Sequence, residues 1–189
     1  MRRATEREPK RRSSVWALAG AVLAVALIAL FAVGGLSGSN GSPTGAQENP
    51  APDVPFQTFE GESVTLSEFR GTPVVLNFFA SWCPVCVAEM PDFEEVHAKL
   101  GDSVTFIGVA QSDVPPLGSP EAAIELRSRT GITYETFADP DGSLYRAFQG
   151  ISMPTTIFID ADGNVVGRQN GAIFASALED KIGELLLEA

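Results

Sequence analysis

Val74-Val75-Leu76-Asn77-Phe78-Phe79-Ala80-Ser81-Trp82-Cys83-Pro84-Val85-Cys86 holds the only two cysteines of the chain, where a strongly apolar run gives way to a helical pattern. Val74 to Phe79 is rich in β-branched and aromatic residues and has the length of a buried strand, which places it centrally in a sheet. Beyond Ser81 the apolar residues Val87, Met90, Phe93, Val96 and Leu100 recur at intervals of three and four, as on one face of a helix. Pro84 suits the first helical position, because its missing N–H would have no intrahelical partner there. Cys83 is then the N-cap. Free backbone N–H groups and the positive end of the helix dipole surround its sulfur and favour thiolate over thiol. Helix N-terminal Cys-x-x-Cys thiols fall to a pKa of roughly 3.5 to 7.5, against about 8.5 for a free cysteine. Cys83 therefore reads as the nucleophile, and Cys86, one turn on and shielded by the strand end, as the resolving thiol.

Plainer readings of the same residues are weaker. A structural disulfide closing so short a loop restricts the unfolded chain little. A zinc site needs more ligands than the two cysteines and the one histidine, His97, supply, so neither metal nor other cofactor is expected. His97 lies about 21 Å along the helix from Cys83 at the standard rise, too far to act as its base, and reads as a helix-surface residue.

Outward from this centre, the 189 residues suit one domain with appendages. Residues 1–14 carry Arg2, Arg3, Arg7, Lys10, Arg11 and Arg12 against Glu6 and Glu8, a basic cytoplasmic N-terminus. Residues 15–33 contain no charge and are long enough to cross a hydrocarbon core of about 30 Å as a helix. With the basic residues on the cytoplasmic side, this segment reads as a single-pass signal anchor that places the rest outside the cytoplasm. A cleaved signal peptide is the alternative, although its apolar region is usually shorter. Residues 34–52, rich in Gly, Ser, Pro and Asn, read as a flexible linker, leaving 53–189 as the folded domain. From Asp53 onward there are seven Lys/Arg against twenty-one Asp/Glu, a formal balance of −14. That excess of negative charge argues against nucleic-acid binding, while an extracytoplasmic setting lets disulfides persist.

The domain alternates strands and helices. Phe56 to Phe59 and Ser63 to Leu66 suggest a short hairpin, followed by a helical turn over Ser67 to Arg70. The dithiol strand and a helix from Pro84 to Leu100, with Pro91 inside it, form the first β-α unit. A strand over Val104 to Ala110 and a helix from Ser119-Pro120 to about Thr130 follow. Then come a short strand at Thr136 to Ala138, a short helix at Ser143 to Phe148, and two strands, Thr155 to Asp160 and Val165 to Gln169, joined by Ala161-Asp162-Gly163-Asn164. A last helix is expected over about Ala172 to Leu187. The pattern is α/β with a mixed sheet.

The strand Val74 to Phe79, the Trp82-Cys83-Pro84-Val85-Cys86 turn, Pro91, Ser152-Met153-Pro154-Thr155-Thr156 and the terminal hairpin plus helix together resemble the thioredoxin fold. The N-terminal hairpin, the β-α insertion and the anchor narrow the resemblance to TlpA/ResA-like, DsbE-related thiol-disulfide oxidoreductases. It implies that Pro154 is a cis-proline against the dithiol, for which proline is suited because it lowers the cis penalty; a trans proline opening the strand is the alternative. It also implies that the Met153 backbone pairs with an incoming peptide and that Trp82 shapes the substrate surface, core packing being the other reading of Trp82.

The chain departs from its relatives at several positions. Asn77 stands where thioredoxins carry a buried aspartate, although TlpA/ResA-like proteins also tend to have asparagine there; Pro84 stands where ResA-like proteins often have glutamate, and Thr155 where cytochrome-maturation members tend to have an acid. Asn77 cannot exchange a proton. Glu89, one turn beyond Cys86, is a candidate for the proton of Cys86, although a helix glutamate is more often solvated. The resemblance implies exchange with thiols or disulfides of exported proteins and a membrane or extracytoplasmic redox partner. Its narrower form is reduction of apocytochrome c in cytochrome c biogenesis, whereas the proline-first dipeptide resembles oxidising motifs. A peroxiredoxin is disfavoured because Leu76 and Ala80 occupy its Pro and Thr/Ser positions, and a binding module without turnover is the non-enzymatic rival.

Overall fold

The computed structural model describes residues 49–111 and 119–188. The expected cytoplasmic segment, signal anchor and most of the linker lie outside the described residues, among which no helix is long and apolar enough to cross a membrane. Seven strands form one sheet: β1 (Phe56–Gln57), β2 (Ser63–Val64), β3 (Val74–Phe79), β4 (Thr105–Gln111), β5 (Glu135–Asp139), β6 (Thr155–Ile159) and β7 (Val165–Asn170). Their order is β2-β1-β5-β4-β3-β6-β7, with β3 parallel to β4 and antiparallel to β6. All six residues of β3 are buried, as expected of a strand covered on both faces.

Alternate β3 residues feed two cores. Val75 and Phe79 join one cluster with Met90, Phe93 and Val96 of α1 (Pro84–Leu100), Leu126 of α2 (Pro120–Thr130) and Leu178 and Ile182 of α4 (Ala175–Ile182). Val74, Leu76 and Phe78 join the other, with Leu144 of α3 (Ser143–Ala147), Phe148 and the 3-10 turn residue Leu66. The mixed sheet flanked by helices, with an N-terminal hairpin and a β-α insertion, is thus a thioredoxin-like fold.

The bounds of β3, α1 and α2 match the sequence expectation. Those of α4 do not. Instead of starting near Ala172, the chain stays extended to Phe174, and after Ile182 the helix passes into a π-helical turn, Gly183–Leu187. The late start has a cause in α1: Glu89 Oε2 accepts from Ile173 N at 3.0 Å and Asp92 Oδ1 from Ala175 N at 2.9 Å, holding the loop open. The N-terminal hairpin is shorter than expected, two residues in each strand. At the other sheet edge, Val165 N donates to Asn49 O and Ala51 N to Gly163 O, so ordered pairing begins a few residues before Asp53.

Candidate active site

Cys83 is the N-cap of α1 in extended backbone, and its Sγ accepts from Cys86 N at 3.2 Å. The sulfurs of Cys83 and Cys86 are joined as a disulfide, with Cα atoms 5.3 Å apart. Cys86 is fully enclosed while Cys83 keeps 6% of its surface, so an approaching sulfur meets Cys83 first. Trp82 and Val85 stand exposed beside it, which sets aside simple core packing for Trp82. The amide that donates to Cys83 Sγ, together with the helix N-terminus, favours negative charge on that sulfur when the bond opens.

The Met153–Pro154 peptide is cis. Thr155 pairs with Phe78 in the β3–β6 ladder, which sets Pro154 beside the end of β3, where the chain turns into the dithiol. Met153 packs against the core cluster that contains both cysteines. Trp82, Cys83, Cys86, Met153 and Pro154 therefore fall at one end of the sheet.

Glu89 corrects the expectation of a solvated helix residue. It is 0% exposed, one turn from Cys86 on the buried face of α1. Its Oε1 accepts from Asn77 Nδ2 at 2.9 Å and its Oε2 from Ile173 N at 3.0 Å, while the same Asn77 amide also reaches Thr156 Oγ1 at 3.2 Å. Burial pushes its carboxyl up to about 7, against the lowering effect of those two hydrogen bonds and with a further push from Asp92. A carboxyl so placed changes protonation near neutrality, which Asn77 cannot do. Spacing carried a signal for this: Glu89 lies three residues after Cys86 and four before Phe93, both on the buried stripe.

His97 also departs from its expected place. Rather than facing solvent, it is half-buried, its ring edge-on to Phe106 at 5.3 Å and to Tyr134 at 5.9 Å. The Tyr134 phenol is pushed up above its usual range, by burial first and then by the charges of Glu89 and Glu94. Tyr145, which the sequence did not single out, and Thr155, noted there only for standing where an acid is common, both donate to the Ser152 carbonyl just before the cis peptide.

Comparison with known proteins agrees with this geometry. The Redoxin family model matches residues 46–182. The thiol-disulfide oxidoreductase ResA of Geobacillus kaustophilus is 31% identical over 119 residues, 61% of this chain and 64% of that protein, just under two thirds of its length. The thioredoxin-like protein YneN of Bacillus subtilis is 27% identical over 73% of this chain and 80% of its own. Among solved structures, MTB dsbF superposes with a TM-score of 0.64 at 31% identity, covering 72% of this chain and 98% of that one. A putative thiol:disulfide interchange protein DsbE from Chlorobium tepidum gives 0.65 at 27% identity, covering 73% and 96%. With a cysteine pair at disulfide distance on a thioredoxin-like sheet, the chain belongs to the Redoxin family and is a TlpA/ResA/DsbE-like thioredoxin-fold protein.

Proposed function

We propose that this chain is a thiol-disulfide oxidoreductase that exchanges disulfides with exported proteins through Cys83 and Cys86, its folded domain held outside the cytoplasm by residues 15–33. The observation that carries the reading is the asymmetry of the pair. Cys83 caps a helix and keeps 6% of its surface, and Cys86 is enclosed one turn from a buried carboxyl that titrates at about 7.

In the reductive direction the Cys83 thiolate attacks one sulfur of a substrate disulfide. A Cys83–substrate bond forms and the other substrate sulfur leaves as thiolate. The ionised carboxylate of Glu89 takes the proton of the Cys86 thiol. Cys86 thiolate then attacks Cys83 Sγ, the second substrate sulfur departs, and two electrons have passed from the dithiol to the substrate. In the oxidative direction each step reverses: a substrate thiolate attacks the Cys83 sulfur of the closed pair, Cys86 leaves as thiolate and receives the proton of Glu89.

Insulin reduction by the full-length chain tests the reading, with Cys83→Ser as the control. Wild-type activity that vanishes in Cys83→Ser is expected, whereas equal inactivity of both supports a binding module. Cys86→Ser is expected to accumulate mixed disulfides with exported proteins in cells, and an empty trap counts against exchange. The reduction potential reads the direction: a value near about −120 mV assigns an oxidant and one near about −270 mV a reductant, the latter compatible with an apocytochrome substrate.

A further inference from the structure

The carbonyl of Ser152 is held from two sides. Tyr145 Oη donates to it at 2.8 Å and Thr155 Oγ1 at 2.6 Å. A carbonyl oxygen has two lone pairs, so these donors fill its capacity. The donors come from different elements, Tyr145 from α3 and Thr155 from the first position of β6. The Tyr145 ring lies edge-on to Phe78 at 5.2 Å, and Phe78 is the β3 residue that pairs with Thr155. Both hydroxyls are thus fixed by the same part of the central sheet.

The consequence passes through one peptide plane. In a trans unit the carbonyl of residue 152 and the N–H of residue 153 point to opposite sides. Turning the Ser152 carbonyl toward Tyr145 and Thr155 turns the Met153 N–H away from them. That N–H has no partner among the described residues, and Pro154 has none to offer. Met153 therefore carries the last backbone donor before β6, beside the dithiol.

We propose that Tyr145 and Thr155 are positioning residues that aim the Met153 N–H at the backbone of an extended polypeptide carrying the reacting cysteine. The pair makes the site selective for disulfides flanked by peptide over small disulfides. This deepens the proposed exchange with proteins and rests on it for its biological meaning, but the geometry has its own test.

In full-length Cys86→Ser, Cys83 is joined chemically to an activated cysteine within a glycine-flanked peptide, and amide exchange at Met153 is followed by NMR. Exchange is expected to slow at least about tenfold on joining, as for an amide that gains a hydrogen bond. Adding Tyr145→Phe or Thr155→Val abolishes the slowing, while Thr155→Ser, which keeps the hydroxyl, retains it. In chains with both cysteines, Tyr145→Phe is expected to raise KM for insulin about fivefold with kcat within twofold. Persistence of Met153 protection in Tyr145→Phe together with Thr155→Val overturns the clamp, as does a loss that falls on kcat alone. Insulin turnover with an unprotected Met153 also overturns it while sparing the enzymatic reading. Protection without insulin turnover supports the clamp and sinks that reading, so the two fail separately.

Discussion

Glu89 is the residue at which pH enters this molecule. Its folded carboxyl is raised from 4.5 to about 7, so the folded chain holds a proton that the unfolded chain releases between those values. For a raised acid the stabilising contribution is complete below 4.5 and is lost as pH climbs through about 7. A shift of this size corresponds to about 3 kcal/mol between the two ends of the window. Glu89→Gln has no such proton, so the stability difference between it and the oxidised wild type should change by about 2.5 kcal/mol from pH 5 to pH 8, in favour of the variant at the higher pH. Urea denaturation at the two pH values measures it, and a difference that stays constant would place the titration elsewhere. Glu89→Gln should also slow release of substrate from the Cys83 mixed disulfide and remove its rise near pH 7. The sequence made Glu89 a candidate by its distance from Cys86 but not its environment. Part of the reason lies 84 residues away, where the Ile173 amide closes over the carboxylate.

At the scale of elements, legibility tracked how local the cause was. The bounds of α1 and α2 were readable because Cys83-Pro84 and Ser119-Pro120 each place a capping residue before a proline, and both caps accept an amide as expected. The start of α4 was not readable, because Glu89 and Asp92 of another helix hold its leading loop extended. The role of Gly108 also depended on register. It pairs with Asn77 of β3 and Thr136 of β5, and a Cβ there would meet Phe79 at 3.1 Å, Thr136 at 3.2 Å and Tyr134 at 3.3 Å. All three neighbours are buried and belong to the sheet or the chain entering it, so none can yield without moving packed groups. Gly108→Ala should destabilise by about 1–3 kcal/mol, as overpacking does. The same substitution displaces the neighbours of the buried Asn77–Glu89 pair, so the loss should come with altered resolution kinetics at the dithiol. A midpoint in urea equal to that of the wild type would show that the core relaxes around the methyl group.

Across the whole molecule, charge and reactivity are kept apart. From Asp53 onward the formal balance is −14, yet residues 80–88, 149–159 and 169–178, which build the dithiol, the cis-proline loop and the loop over Glu89, contain no charged side chain. Trp82, Val85, Ile151 and Phe174, all on those segments, are exposed. Under the proposed function, substrate contact at the site is therefore apolar and backbone-mediated, and the negative charge acts on a substrate as a field at longer range. Such a field changes encounter more than the bound state, and salt removes it once the Debye length falls to a few ångströms. Two peptides sharing one disulfide and its neighbours, but ending in three lysines or three glutamates, separate these effects. At low ionic strength the cationic peptide should react about tenfold faster in kcat/KM, and at roughly 0.5 M salt the rates should converge while kcat stays the same for both. Equal rates at low salt would mean that the uncharged rim screens the dithiol from the rest of the surface. A preference surviving high salt would instead require a charged contact at the rim, for which these three segments supply no side chain.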